Sequence, residues 1–170
     1  MRKILVVVDY QNDFVDGSLG FDGAELLDGP ICEKIEQYRH DEVVHTLDTH
    51  DGRYLDTHEG KCLPIPHCIG GTTGHDIYGR SAELLWGTRR FLKRSFGSLE
   101  LGDYLRRGCY DVVELCGLVS NICVLSNAVI ARAALPDAEI IVDSRCTASA
   151  DKEMNDAALA VLRGIHVTVL

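Results

Sequence analysis

Chemically reactive side chains follow four short apolar runs of the 170-residue sequence. Asp9 follows Ile4–Val8, Asp48 and His50 follow Val43–Leu47, Lys93 follows Arg90–Leu92, and Cys123 comes shortly after Asp111–Leu115. A thiol is a nucleophile, a carboxylate can accept its proton, and an ammonium group can stabilise the charge that develops. Together these groups would form a centre for covalent catalysis.

Cys123 lies in the segment 117–124, where a predicted strand passes into a predicted helix. Ser120 or Asn121 is the expected N-cap, which would place Cys123 in the first helical turn. The helix dipole and free N–H groups there would stabilise a thiolate and hold an oxyanion. The alternative is a buried core thiol, because cysteine is among the most buried residue types. The other six cysteines are predicted to be structural.

Asp9 and Lys93 each have a functional and a structural interpretation. If Asp9 faces Cys123, it is a base for the thiol, with a proton affinity tuned by burial and by a nearby cation. Otherwise it only terminates a strand. Lys93 could supply that cation, or it could be a solvated charge in the basic run 89–94.

The segment 48–79 shows no convincing periodicity but contains four of the seven histidines. Asp48 and His50 are two residues apart and would point to the same side of an extended segment. Further donors come from His58, Glu59 and His67. Imidazole and carboxylate groups suit Zn²⁺, Mn²⁺ or Fe²⁺. The alternative is a polar loop whose histidines cap backbone groups.

Short apolar runs alternate with segments of helical spacing along the chain. Strands are predicted at 4–8, 43–47, 111–115, 139–142 and 166–170, with a weaker one at 90–92; helices are predicted at 24–38, 81–86, 99–105, 122–135 and 152–162. This alternation predicts a doubly wound α/β sheet with helices on both faces. Ligands collect at the carboxyl ends of the strands in such sheets, where the reactive residues stand.

Composition narrows the function classes. The net charge is −9, from 17 basic and 26 acidic residues, which argues against nucleic acid and anionic membranes as partners. Seven cysteines without a Cys-x-x-Cys pair fit neither a disulfide scaffold nor a zinc ribbon, so we expect reduced thiols in a cytoplasmic protein. The apolar run 4–8 is too short for a signal peptide or a spanning helix. The length predicts a single domain over 1–170.

Five motifs, in this order, resemble the isochorismatase-like cysteine hydrolase superfamily and, within it, the nicotinamidase-related amidohydrolases. They are Asp9-x-Gln11-Asn12-Asp13-Phe14, Asp48-x-His50, Pro66-His67-Cys68 with Gly70-Gly71-Thr72-x-Gly74, Lys93-x-x-Phe96-Gly97-Ser98, and Gly117-x-x-Ser120-Asn121-x-Cys123-Val124. The resemblance runs from Lys3 to about Ala150. It implies a three-layer α/β/α fold with a six-stranded, mostly parallel sheet.

The resemblance also implies roles for individual residues. Asp9, Lys93 and Cys123 correspond to the family's catalytic triad. A cis peptide is implied at Leu118–Val119, with the N–H groups of Val119 and Cys123 forming the oxyanion hole. The implied reaction is attack of Cys123 on a small amide, loss of ammonia, and hydrolysis of the resulting thioester.

The family's metal-containing members bind one divalent ion, which implies zinc here, with manganese or iron as alternatives. Asp48, His50 and His67 match the ligand positions directly. The third ligand is either His58 or Glu59, and the spacing from Asp48 favours Glu59.

The resemblance leaves the substrate open. Phe14 matches one aromatic wall of the nicotinamidase site, but Pro64 stands where the family has the other, unless Tyr54 or Trp86 replaces it. A metal site favours nicotinamide, with another small amide or ureido acid as the alternative.

Homo-oligomers are expected from the resemblance alone. A non-catalytic ligand- or metal-binding protein on this fold is the rival class, and a flavodoxin-like carrier fits poorly because a phosphate-binding loop is missing after the first strand.

Overall fold

A six-stranded sheet forms the middle layer of the molecule. The computed structural model describes residues 1–170. The strands are β1 (Lys3–Val8), β2 (Glu42–Asp48), β3 (Arg89–Lys93), β4 (Val112–Leu118), β5 (Glu139–Ala148) and β6 (Thr168–Val169). Their order is β3-β2-β1-β4-β5-β6, and all five pairings are parallel. The predicted α/β fold is confirmed, with a sheet that is wholly rather than mostly parallel.

Helices cover both faces of this sheet. They are α1 (Asn12–Val15), α2 (Asp28–Gln37), α3 (His58–Cys62), α4 (Ser81–Leu84), α5 (Leu99–Gly108), α6 (Leu125–Ala134) and α7 (Lys152–Gly164). Ile4, Val6 and Val8 of β1 pack with α5, α6 and α7, whereas Leu5 and Val7 pack with α1 and α2. Side chains alternate across a strand, so a continuous apolar run serves two cores at once. None of these helices has the length and apolar content needed to cross a membrane.

Several predicted boundaries are wrong. β5 continues to Ala148, six residues beyond the prediction, because its second half is polar and lacks the expected apolar pattern. β6 is reduced to Thr168–Val169. The predicted helix from Ala24 is a 3₁₀ turn over Ala24–Leu27 followed by α2. The segment 48–79 contains the short helix α3 and 3₁₀ turns at Tyr54–Asp56 and Thr73–His75.

Strand register brings the reactive residues to one edge of the sheet. Val8 of β1 pairs with Thr46 on one side and with Gly117 on the other. Asp48 pairs with Lys93 across β2 and β3. Gly117 has a φ of 107°, and a Cβ at this position would lie 2.0 Å from the Val8 carbonyl oxygen. Only glycine permits this approach, so the chain before Cys123 runs directly against the chain before Asp9.

Candidate active site

Asp9, Lys93 and Cys123 converge at the carboxyl edge of the sheet. The Lys93 Nζ atom lies 2.5 Å from Asp9 Oδ2 and 3.5 Å from Cys123 Sγ. All three residues are buried, with 0%, 4% and 5% of their surface exposed. The predicted proximity is therefore present in the structure, and Lys93 is not a solvated surface charge.

Backbone geometry directs Asp9 toward this cluster. Asp9 has a φ of 43°, so the chain turns away from the sheet immediately after β1. Its N–H still donates to the Thr46 carbonyl oxygen at 3.2 Å. The Thr46 hydroxyl donates to Asp9 Oδ1 at 2.6 Å, while Lys93 holds Oδ2. Both oxygens are thus held, and the carboxyl group is fixed beside the thiol.

Burial dominates the proton affinities of this cluster. Burial raises the pKa of the Asp9 carboxyl, although the charge of Lys93 opposes the increase. Burial, and then the negative charge of Asp9, raise the pKa of the Cys123 thiol well above its ordinary value. Burial alone would lower the pKa of Lys93, but the charge of Asp9 raises it, so the lysine stays protonated. The raised pKa of Cys123 favours the thiol form in the free protein, in contrast to the thiolate that a helix N-terminus favours.

The turn that carries Cys123 also differs from the predicted helix start. Residues 120–124 form a wide turn in which the Val124 N–H bonds to the Val119 carbonyl oxygen, and α6 begins only at Leu125. The N-cap position falls on Val119, whose side chain cannot cap, and Asn121 Oδ1 accepts no hydrogen bond. The Ser120 hydroxyl instead donates to Asn155 Oδ1 of α7 at 2.7 Å. The capping prediction is wrong because the turn begins one residue earlier than expected and a tertiary contact takes the Ser120 hydroxyl.

The chain before Cys123 carries a backbone donor without a partner. The Leu118–Val119 peptide bond is cis, as the resemblance implies. The Val119 N–H donates to no other group of the protein. An oxyanion donor must have a free N–H, and the role expected for Val119 stays a prediction.

A second cluster adjoins the first. One ligand atom each from Asp48, His50, Glu59 and His67 lies within 4.8 Å of the others. Nε2 of His50 is 3.0 Å from Asp48 Oδ2, and Nε2 of His67 is 3.6 Å from Glu59 Oε1. A tetrahedral ion with bonds of about 2.0–2.2 Å sets its ligand atoms roughly 3.3–3.6 Å apart. The donor set and its spacing therefore fit a divalent metal ion.

Local contacts aim these donors at a common point. The ring of His67 is oriented by its Nδ1 atom, which lies 2.8 Å from the Ile65 carbonyl oxygen, so Nε2 faces the cluster. Such a contact on the second nitrogen is typical of metal-binding histidines. Glu59 lies in the first turn of α3, whose N-cap Thr57 accepts from the Gly60 N–H. His58 points away toward Cys62, with Nε2 to Sγ at 3.8 Å. Of the two candidate third ligands, Glu59 is the one in the cluster.

Asp48 joins the two clusters. Its Oδ1 atom lies 3.4 Å from Lys93 Nζ, while Oδ2 faces His50 and His67. Burial would raise the pKa of Asp48, but hydrogen bonds from the two histidines lower it below its ordinary value. Asp48 is therefore ionised and shared by the lysine and the metal-type donors.

The aromatic residues near the site do not form the two aromatic walls that enclose the substrate in the nicotinamidase-related family. Phe14 is buried, and its ring lies 5.6 Å from that of His67. Tyr54 is also buried; it packs edge-on against His50, and its hydroxyl donates to the Leu63 carbonyl oxygen. Pro64 is exposed. Trp86 is 89% exposed and lines a separate groove beside His45 and Arg90.

Two residues that hold the site were missed by the sequence interpretation. Thr46 binds Asp9, yet in the sequence it is an ordinary β-branched strand residue. Asn127 is fully buried in α6 and bonds to the Ser98 N–H and to the carbonyl oxygens of Phe96 and Cys123. It ties the loop after Lys93 to the nucleophile turn. An asparagine amid apolar helical residues was the available signal for Asn127.

The fold and site define an α/β protein with a buried acid–lysine–cysteine centre next to a metal-type donor cluster. A model of the isochorismatase domain matches residues 3–170. The nicotinamidase/pyrazinamidase of Mycobacterium tuberculosis is 27% identical over 99% of this chain and 98% of its own. The crystal structure of nicotinamidase/pyrazinamidase from Bacillus subtilis has a TM-score of 0.89 and 29% identity, covering 99% of both chains.

A third solved structure has the same fold at a lower sequence identity. The pyrazinamidase of Pyrococcus horikoshii, solved in complex with zinc, has a TM-score of 0.87 and 21% identity, covering 100% of this chain and 99% of its own. The chain belongs to the isochorismatase family, as its five motifs predict.

Proposed function

We propose that this protein is a cysteine-dependent amidohydrolase that cleaves a small carboxamide, with hydrolysis of nicotinamide to nicotinate and ammonia as the leading reaction. The observation that carries the proposal is the convergence of Asp9, Lys93 and Cys123 from three separate strand ends. The nicotinamidase relatives in two bacteria support the reaction class.

The first half of the reaction forms a thioester. Asp9 accepts the proton of Cys123 as the sulfur attacks the amide carbon, and the carbonyl electron pair moves onto oxygen. The N–H groups of Val119 and Cys123 hold this oxyanion. Its collapse breaks the C–N bond, and Asp9 returns the proton to the departing ammonia. Lys93 stays protonated and stabilises the negative charge that passes between Asp9 and the sulfur.

The second half of the reaction hydrolyses the thioester. Asp9 takes a proton from water, whose oxygen attacks the thioester carbon. Collapse of the second oxyanion breaks the C–S bond, releases the carboxylic acid, and returns the proton to Cys123. A base with a raised pKa suits both halves, because it must accept and release a proton near neutral pH.

We propose that Asp48, His50, Glu59 and His67 hold one divalent ion, with zinc as the first choice and manganese or iron as alternatives. When bound, the ion supplies a positive charge that can orient a ligand with a heteroaromatic nitrogen. The zinc-bound relative of the same fold supports this choice. Phe14 packs against His67 and would form one wall of the substrate pocket.

A second candidate substrate class is another small amide or a ureido acid. The observation that favours it is the missing aromatic wall: Pro64 is exposed, Tyr54 is buried behind the histidines, and Trp86 lines another groove. A site with one aromatic wall binds a flat ring less strongly than a site with two.

The test is ammonia release from nicotinamide, pyrazinamide, aliphatic amides and N-carbamoyl amino acids. Wild type should turn over at least one of them, and Cys123→Ala should lose at least about 10³-fold in kcat. Cys109→Ala, which removes an exposed thiol, is the matched control and should retain activity. Equal rates for wild type and Cys123→Ala would refute the nucleophile. No turnover of any compound would favour the non-catalytic alternative.

A further inference from the structure

The strand β2 extends beyond its neighbour β1 at the active edge. The last β1–β2 pair is Val8 with Thr46, and the last backbone bond on this side runs from the Asp9 N–H to the Thr46 carbonyl oxygen. The chain then leaves the sheet because of the positive φ of Asp9. Asp48, two residues beyond Thr46, has β3 on one side but no strand on the other.

The side chain of Gln11 takes the place of the missing strand. Its Oε1 atom accepts from the Asp48 N–H at 2.8 Å, and its Nε2 atom donates to the Asp48 carbonyl oxygen at 3.0 Å. Nε2 also donates to the His75 carbonyl oxygen at 2.8 Å. Gln11 is completely buried. The carboxamide thus pairs with both backbone groups of one residue, as a neighbouring strand would.

The residue held in this way carries the carboxylate that joins the two clusters. Asp48 Oδ1 lies 3.4 Å from Lys93, and Oδ2 lies 3.0 Å from His50 Nε2 and 3.3 Å from His67 Nε2. A short aspartate side chain has few rotamers, so the backbone position largely decides where both oxygens stand. Displacement of this backbone by a fraction of an ångström would separate Oδ2 from the histidines.

We infer that Gln11 is a positioning residue for the metal centre: by pairing with the backbone of Asp48, it holds Oδ2 where the ion needs it. This inference rests on the metal centre of the proposed function. It differs from a general role in folding, because it predicts a loss of metal affinity that is separate from any loss of stability. Contacts behind metal ligands typically contribute 10–100-fold to affinity.

The experiment measures zinc affinity of the whole protein by competition with a chromophoric chelator. Gln11→Met keeps the length of the side chain and removes all three hydrogen bonds. Gln11→Asn keeps the amide but is one methylene group shorter, so the amide no longer reaches the Asp48 backbone. This variant serves as the test if Gln11→Met does not fold. Asn12→Ala is the matched control, because Asn12 Nδ2 donates to the Thr73 carbonyl oxygen at 2.6 Å in the same region without touching Asp48.

We expect both Gln11 variants to bind zinc about 10–100-fold more weakly than wild type, and Asn12→Ala to bind it as wild type does. The visible absorption of bound Co²⁺ should change in the Gln11 variants alone, since it reports ligand geometry. Folded Gln11 variants with wild-type zinc affinity and an unchanged Co²⁺ spectrum would overturn the inference, even where their stability is reduced. A wild type that takes up no zinc would overturn it together with the metal centre.

The two proposals fail in different ways. A wild type that binds zinc but releases no ammonia from any amide refutes the proposed reaction, and the role of Gln11 is still decided by the affinities. Gln11 variants with wild-type zinc affinity and an unchanged Co²⁺ spectrum refute the positioning role, and the proposed reaction is still tested separately through Cys123.

Discussion

Opposing contacts set the protonation of Asp9, the proposed base. Burial raises its pKa, whereas Lys93 and the Thr46 hydroxyl, which donates at 2.6 Å, favour the charged form. A hydrogen bond to a charged group contributes about 1.5–3 kcal/mol, and one pKa unit corresponds to roughly 1.4 kcal/mol. Thr46 therefore has enough influence to move the pH range in which the base is ionised.

Thr46→Val, which has nearly the same shape, should shift the pH profile. Without the hydroxyl the carboxylate is less stabilised, so the pKa of Asp9 rises and the base is protonated at higher pH. The acid limb of kcat/KM should move upward by about one to two pH units. Thr88→Val is the control, because its hydroxyl contacts only His45 and Leu85. An acid limb that stays in place would mean that Asp9 does not govern it.

A buried charge cluster joins α2 to two strands of the sheet. Lys34 Nζ lies 2.7 Å from Glu114 Oε1 of β4 and 3.1 Å from Asp143 Oδ2 of β5. The Tyr38 hydroxyl also donates to Glu114, at 2.7 Å. This cluster attaches α2 to β5 and to β4, the strand that leads to the nucleophile turn.

Lys34→Met should destabilise the protein by about 3–5 kcal/mol, because Glu114 is left buried without its cation and Asp143 keeps only Arg145. Urea unfolding measures this difference. Lys152→Met is the matched control, since Lys152 is 86% exposed and pairs with Asp156 on the surface, and it should change stability by about 0.5 kcal/mol or less. Equal unfolding midpoints for the two variants would contradict the role of the cluster.

The stability that this cluster contributes depends on pH through the pKa values of Asp143 and Lys34. Arg145 and Lys34 hold the pKa of Asp143 below its ordinary value, so the stability from Asp143 is present above that ordinary value and is lost as pH falls through the lower one. Burial would lower the pKa of Lys34, but Glu114 and Asp143 raise it. The stability that Lys34 contributes is therefore lost only as pH rises through the raised value. The stability that the Lys34–Asp143 pair gives wild type should therefore be constant between about pH 5 and pH 9.

The proposed metal ligands come from three separate parts of the chain. Asp48 and His50 lie at the end of β2, Glu59 lies in α3, and His67 lies in the segment after it. Such a site exists only in the folded molecule. An ion that binds the native state alone stabilises it by about 2.7 kcal/mol at a free concentration 100 times the Kd.

Zinc at that concentration should raise the Tm by about 5–10 °C, which is the shift expected for a chain of this size. His67→Ala should abolish the shift and the bound metal measured by elemental analysis. His58→Ala should keep both, because His58 points toward Cys62 and lies outside the cluster. A shift that survives in His67→Ala would place the ion elsewhere.

Local patterns predicted much of this molecule. Continuous β-branched runs predicted buried parallel strands, because a strand covered on both faces needs no polar alternation. The polar second half of β5 and the wide turn before α6 were missed, because they depend on contacts with β4 and α7 that no local pattern contains.

The chemical groups of the site and the strand ends that carry them could be predicted from the sequence, because the apolar runs and the five motifs are local features of the chain. The tertiary structure brings these groups together. Parallel register sets Asp9, Asp48 and Lys93 at one edge, and Gly117 lets the chain before Cys123 approach β1. It also changes the proton affinity of the sulfur: the local helix signal favoured a thiolate, but burial beside Asp9 raises the pKa of Cys123. Desolvation depends on the whole surrounding fold, which no single segment of the sequence describes.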